Sequence, residues 1–108
     1  MRYIKFKISV IVDGKETSPE IPGYLIKIHD IPIVIHNWQY AYSCIIRIPK
    51  RWRASEYYSG CTAYGKDTEC TTRKQIIKET THFLDETIKR VGKKKVMARI
   101  NSFPKINS

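Results

Sequence analysis

Seventeen of the 108 residues are isoleucine and only two are leucine. A side chain branched at Cβ is stiff at its first torsion and packs well on a pleated surface, so a chain that builds its apolar content this way leans towards sheet. The alternation along the chain agrees. In residues 2–12, Ile4, Phe6, Ile8 and Val10 take one side and Tyr3, Lys5, Lys7 and Ser9 the other, which is a strand with one buried face. Asp13-Gly14 follows as a two-residue hairpin signal, and Lys15 to Thr17 begins a return strand. Ser18 to Gly23 reads as a loop because Pro19, Pro22 and Gly23 interrupt the pattern.

Tyr24 to Ile28 and Ile33 to His36 read as a second strand pair around the turn His29-Asp30-Ile31-Pro32. Residues 41–48 form another apolar run ended by Pro49, and Trp52–Tyr58 with Cys61–Tyr64 bracket a Ser59-Gly60 turn. One helix is clear. Thr72 and Gln75 have capping-box spacing. Ile76, Ile77, Thr80, Phe83, Leu84, Ile88 and Val91 recur at helical spacing, and Gly92 is placed as the C-terminal cap. Val96 to Ile100 is expected to close the sheet as an edge strand. The whole is an α+β fold: one domain, an antiparallel sheet of four to six strands with one long helix packed on one face. The core spans about residues 3–101, and the tail, 102–108, is expected to be loose.

Charge divides unevenly. Lys and Arg total 20 against 10 Asp and Glu. Residues 1–49 carry six basic and four acidic groups; residues 50–108 carry fourteen and six. A field of that sign attracts phosphate backbones or acidic protein surfaces. The candidate binding residues are Lys50, Arg51, Trp52 and Arg53 at the start of a strand, with Tyr57 and Tyr58 further along it, and Lys93, Lys94, Lys95 and Arg99 beyond the helix. Cations fix phosphates and aromatic faces stack on bases. The two groups are expected to share one surface if the last strand returns beside the sheet. For Trp52 alone, a core anchor is the stronger reading, and edge lysines also keep sheets from aggregating.

No metal or cofactor is expected. Cys61 and Cys70 lack the close Cys-x-x-Cys spacing of a zinc knuckle, with His82 later on the helix; His29 and His36 flank a hairpin and are placed to approach each other. An odd number of cysteines (Cys44, Cys61, Cys70) fits free thiols in a reducing cytoplasm, with no signal peptide or membrane span in the sequence. No Gly-x-Ser-x-Gly elbow and no Gly-rich phosphate loop organises the remaining polar residues, and the adjacent Asp85 and Glu86 point apart on a helix. The chain therefore reads as a binding protein and not an enzyme. An exposed edge strand offers a route to a homodimer.

The segments Ile33-Val34-Ile35-His36, Trp52-Arg53-Ala54-Ser55-Glu56, Ser59-Gly60, Gly65 and Thr72-Arg73-Lys74-Gln75-Ile76-Ile77 together resemble a pattern of small phage and mobile-element proteins. The stretches Gln39–Arg51 and Lys66–Thr71 depart from it. The sheet-then-helix order is similar to the arm-type DNA-binding domains of phage integrases, where a sheet enters the major groove, and in build to small anti-CRISPR proteins. The first resemblance implies nucleic-acid contact through Arg51, Arg53, Tyr57 and Tyr58. The second implies an inhibitor that docks on a host defence complex.

Overall fold

The computed structural model describes residues 1–37, 51–65 and 70–108, which contain seven strands and two helices. The strands are β1 (Arg2–Lys7), β2 (Val10–Val12), β3 (Lys15–Thr17), β4 (Glu20–Ile28), β5 (Ile31–Asn37), β6 (Trp52–Glu56) and β7 (Thr62–Tyr64); the helices are α1 (Arg73–Val91) and α2 (Lys93–Asn101). Five strands form an antiparallel sheet in the order β1-β4-β5-β6-β7, and β2 and β3 form a separate hairpin. The fold is α+β. Lys50 and the apolar run 41–48 lie outside the described residues.

Both tight hairpins use positive φ at two successive residues. Asp13 (51°) and Gly14 (74°) turn β2 into β3, and His29 (53°) and Asp30 (64°) turn β4 into β5. This is the backbone twist a two-residue hairpin needs, and Asp is among the residues that tolerate it. The second turn is tighter than the sequence suggests, because Ile31 and Pro32 already belong to β5.

Alternation along β5 feeds two apolar clusters on opposite faces of the sheet. Ile31, Ile33 and Ile35 join Ala54, Ile76, Leu84 and Val96 on the helix side. Val34 joins Phe6, Ile8, Val10 and Ile21 on the other side. Val34 and Ile35 are fully buried. The alternation in residues 2–12 holds at Phe6, Ile8 and Val10, all buried, while Tyr3, Lys5 and Lys7 are exposed.

Three local expectations are corrected. Glu20–Gly23 is strand and not loop: it pairs with β1 through Lys7↔Glu20, Phe6↔Ile21, Lys5↔Pro22 and Ile4↔Gly23. The pairing of β5 with β4 starts only at Tyr24, so Pro22 sits where a missing N–H removes no ladder bond on that side. Gly23 is required there for close approach, since a Cβ would fall 2.5 Å from Val34 Cγ1. Second, Val96–Ile100 is helix. Gly92 caps α1 by donating its N–H to the Ile88 carbonyl, and the chain then re-enters helix at once. Val96 and Ile100 are four residues apart, so one helical face carries both onto the helix-side core.

Third, the tail is tied down. The Lys7 N–H donates to Asn107 Oδ1 at 2.8 Å, and Asn107 Nδ2 donates to the carbonyls of Lys7 and Tyr57, both at 2.7 Å. The amides of Ile106 and Asn107 donate to the Tyr58 carbonyl, and Tyr57 Oη donates to the Ser108 carbonyl. Gly60 makes room: at φ 68°, a Cβ there would lie 2.6 Å from the Lys7 carbonyl oxygen and 2.8 Å from Ile106 Cδ1.

Asn107→Ala removes three hydrogen bonds, each worth about 0.5–1.5 kcal/mol net, so urea unfolding should show a loss of roughly 1–3 kcal/mol. An unchanged midpoint would mean that the tail contributes nothing to stability.

Candidate functional site

Arg51, Trp52 and Arg53 stand at the β6 end beside Asn37, the last residue of β5. Trp52 is half-buried against the helix-side core, and its ring lies 6.3 Å from that of Tyr24, over which the Arg73 guanidinium sits at 4.4 Å. Trp52 is thus a packing residue. Arg53 takes the opposite face, in register with His36.

Tyr57 and Tyr58 follow β6 at its other end, in the turn. Their rings meet edge-on at 5.2 Å, and Lys105 Nζ lies 5.2 Å above Tyr58. Lys93, Lys94, Lys95 and Arg99 are all exposed on α2, with Lys93 paired to Asp30 at 3.4 Å. The expectation of one shared surface fails, because the closing element is a helix and not a returning strand. Nineteen residues of α1 separate Arg73, over Tyr24, from Gly92, about 28 Å at 1.5 Å per residue.

The helical layer itself carries the charge. Between residues 73 and 101 all nine Lys and Arg (Arg73, Lys74, Lys78, Lys89, Arg90, Lys93, Lys94, Lys95 and Arg99) are exposed. Only three carboxylates oppose them. Glu79 accepts hydrogen bonds from Tyr64 Oη at 3.2 Å and from Cys70 Sγ at 2.7 Å, and Asp85 pairs with His29; Glu86 remains exposed. Desolvation, then the Glu79 carboxylate beside it, raises the Tyr64 phenol above its usual range. The sheet and its loops are nearly balanced: the remaining described residues hold seven basic and five acidic side chains.

Neither helix has an acidic residue in its first turn. Thr72 caps α1 by accepting from the Gln75 N–H at 3.1 Å, as its spacing implies. The N-terminus of α2 has Gly92 in the cap position and no side-chain cap, with Lys93, Lys94 and Lys95 immediately after it. Cations at the positive end of a helix dipole repel it, and unsatisfied amides there favour an anion.

Spacing alone does not reveal the polar contacts in the interior. His36 and Ser55 form a buried hydrogen bond, Nε2 to Oγ, at 2.8 Å. Burial, then the nearby Arg53 charge, lowers the His36 pKa to about 3, against a weak opposing push from the Asn37 backbone. The pair contains a base and a hydroxyl, but both residues are 1% exposed, so no substrate reaches it in this conformation. Glu56 is buried and holds the Ser59-Gly60 turn by accepting from the amides of Tyr58 (2.7 Å) and Ser59 (3.0 Å). His29 and His36 stay apart, separated by about 20 Å of strand. Among the described residues, no group of three His, Cys, Asp or Glu is placed to hold a metal, and no helix is long and apolar enough to cross a membrane.

Comparison with protein-family models, with curated proteins and with solved structures yields no match to this chain.

His36 gives stability a pH dependence. Its folded pKa lies below the unfolded 6.5, so its contribution is complete above 6.5 and is lost as pH falls towards 3. At 1.36 kcal/mol per unit the loss is roughly 2 kcal/mol by pH 5. Urea titrations at pH 7.5 and 5.0 should show the native protein losing about that much more than His36→Gln; equal losses would contradict a neutral, buried imidazole.

Proposed function

We propose that this chain is a non-enzymatic nucleic-acid-binding protein that grips phosphate through the outer face of α1 and α2. The observation that carries the reading is the segregation of charge: nine exposed cations on the helical layer face three carboxylates, two of which are engaged by other side chains. Solubility alone does not call for such a one-sided layer, whereas a polyanion does. The uncapped start of α2, with three lysines and free amides, adds a phosphate site of the kind helix N-termini provide. The cations run along the helices and not along the sheet edge, so contact through Arg51, Trp52 and Arg53 is secondary. The resemblance to small phage and mobile-element proteins is compatible with this role.

The test is binding to labelled duplex DNA, single-stranded DNA and RNA across a salt series. Lys93→Glu, Lys94→Glu and Lys95→Glu together should weaken binding more than tenfold at low salt. They should also flatten the plot of log Kobs against log salt by about 2–3, at roughly 0.7–0.9 per phosphate released. Acidic residues in a first helical turn favour the helix, and the exposed Lys93–Asp30 pair is worth little, so the variant should fold as well as its parent. Unchanged affinity would remove α2 from the interface. Weak binding to every polymer would mean that the layer faces an acidic protein surface, as an inhibitor docking on a host complex would require.

A further inference from the structure

A groove of about 450 Å³ opens between the Ser59-Gly60 turn, β7 and the two helices. Its walls are apolar, with Phe83 and Phe103 at its mouth and Val96 and Ile100 inside. Phe83 is 40% exposed although it lies on the apolar stripe of α1. The rim is cationic, formed by Arg90, Lys95 and Arg99, and the Arg99 guanidinium lies 5.2 Å over the Phe103 ring. The one carboxylate in the lining, Glu56, is occupied by the amides of Tyr58 and Ser59. Ser59, Thr62 and Thr87 add hydroxyls to the lining.

We infer that this groove receives an unstacked base of a single strand, with the flanking phosphates on Arg90, Lys95 and Arg99. The inference rests on the nucleic-acid reading above and narrows it to unpaired polymer. Charge complementarity selects the occupant: an apolar slot with a cationic rim suits a flat apolar body carrying negative charge beside it, and the rim cations belong to the same layer that grips phosphate. Phe103 supplies a stacking face, and the chain on both sides of it is fixed. Ser102 ends α2, its amide donating to the carbonyls of Arg99 and Ile100, and Asn107 is clamped to Lys7 and Tyr57. A ring held in place before binding loses little freedom on stacking. A groove in the range of about 300–1,000 Å³ takes one small ligand, and a duplex keeps its bases stacked inside and presents none to it.

The experiment compares a labelled 15-mer single strand with the matching duplex, using the parent protein, Phe103→Ala and Phe103→Trp. Phe103 lies outside both buried clusters, so its truncation should leave the thermal melt near that of the parent. The single strand should bind more tightly than the duplex. Phe103→Ala should weaken single-strand binding about 5- to 100-fold without changing its salt slope, and Phe103→Trp should restore it. Equal affinity for strand and duplex, with Phe103→Ala silent on both, overturns the slot and leaves phosphate binding by the helical layer standing. Failure to bind any polymer removes both. A groove that takes a fluorescent long-chain fatty acid that no oligonucleotide displaces overturns the slot as well.

Discussion

Every layer of this molecule depends on β5 being sheltered on both faces. Ile31, Ile33 and Ile35 point into the helix-side core and Val34 and His36 away from it, and all five are buried. A strand in that position must have its backbone groups paired on both edges, and β4 and β6 supply the partners. The rest of the architecture covers its two faces. On one, α1 and α2 deliver Ile76, Leu84 and Val96; on the other, β1 and β4 deliver Phe6 and Ile21. The polar exceptions are tolerated because they are neutral or bonded: His36 sits uncharged beside Ser55, and Glu56 is saturated by turn amides.

That arrangement also separates the roles of the two layers. The sheet carries balanced charge and most of the buried surface, while the helices carry the cations. Because α1 and α2 need only a narrow apolar stripe to hold the sheet, their remaining surface is free for lysine and arginine. The cost falls at the helix N-termini, where cations oppose the dipole, and a bound polyanion relieves it.

Features governed by short spacing were legible in the sequence. Asp13-Gly14 forms the turn its composition implies, Thr72 caps α1, and the period-two pattern around Phe6 identifies the buried face. Features governed by distant partners were not. Val96 and Ile100 are β-branched and read as strand, but their spacing of four lets them serve a helix once a core lies beneath it. Pro22 and Gly23 read as a loop, because nothing local shows that β5 starts pairing one residue later. The candidate site divided in the same way. The exposed lysines of α2 were found from their charge, whereas the groove depends on Ser59, Phe83 and Phe103 meeting across three elements. Trp52, the most conspicuous candidate, is a packing residue.

The side-chain amide of Asn107 donates to the Lys7 carbonyl and accepts from the Lys7 N–H, the pair of bonds a neighbouring strand would make. β1 is an edge of the five-stranded sheet, and an open edge is a template on which another chain can pair. At Lys7 that template is already occupied by a surrogate that has no backbone to extend. The tail therefore insulates the molecule against copies of itself at that end of β1, and further along the same edge the exposed Lys5 and Arg2 discourage approach by charge. Self-association through this edge must first displace an asparagine.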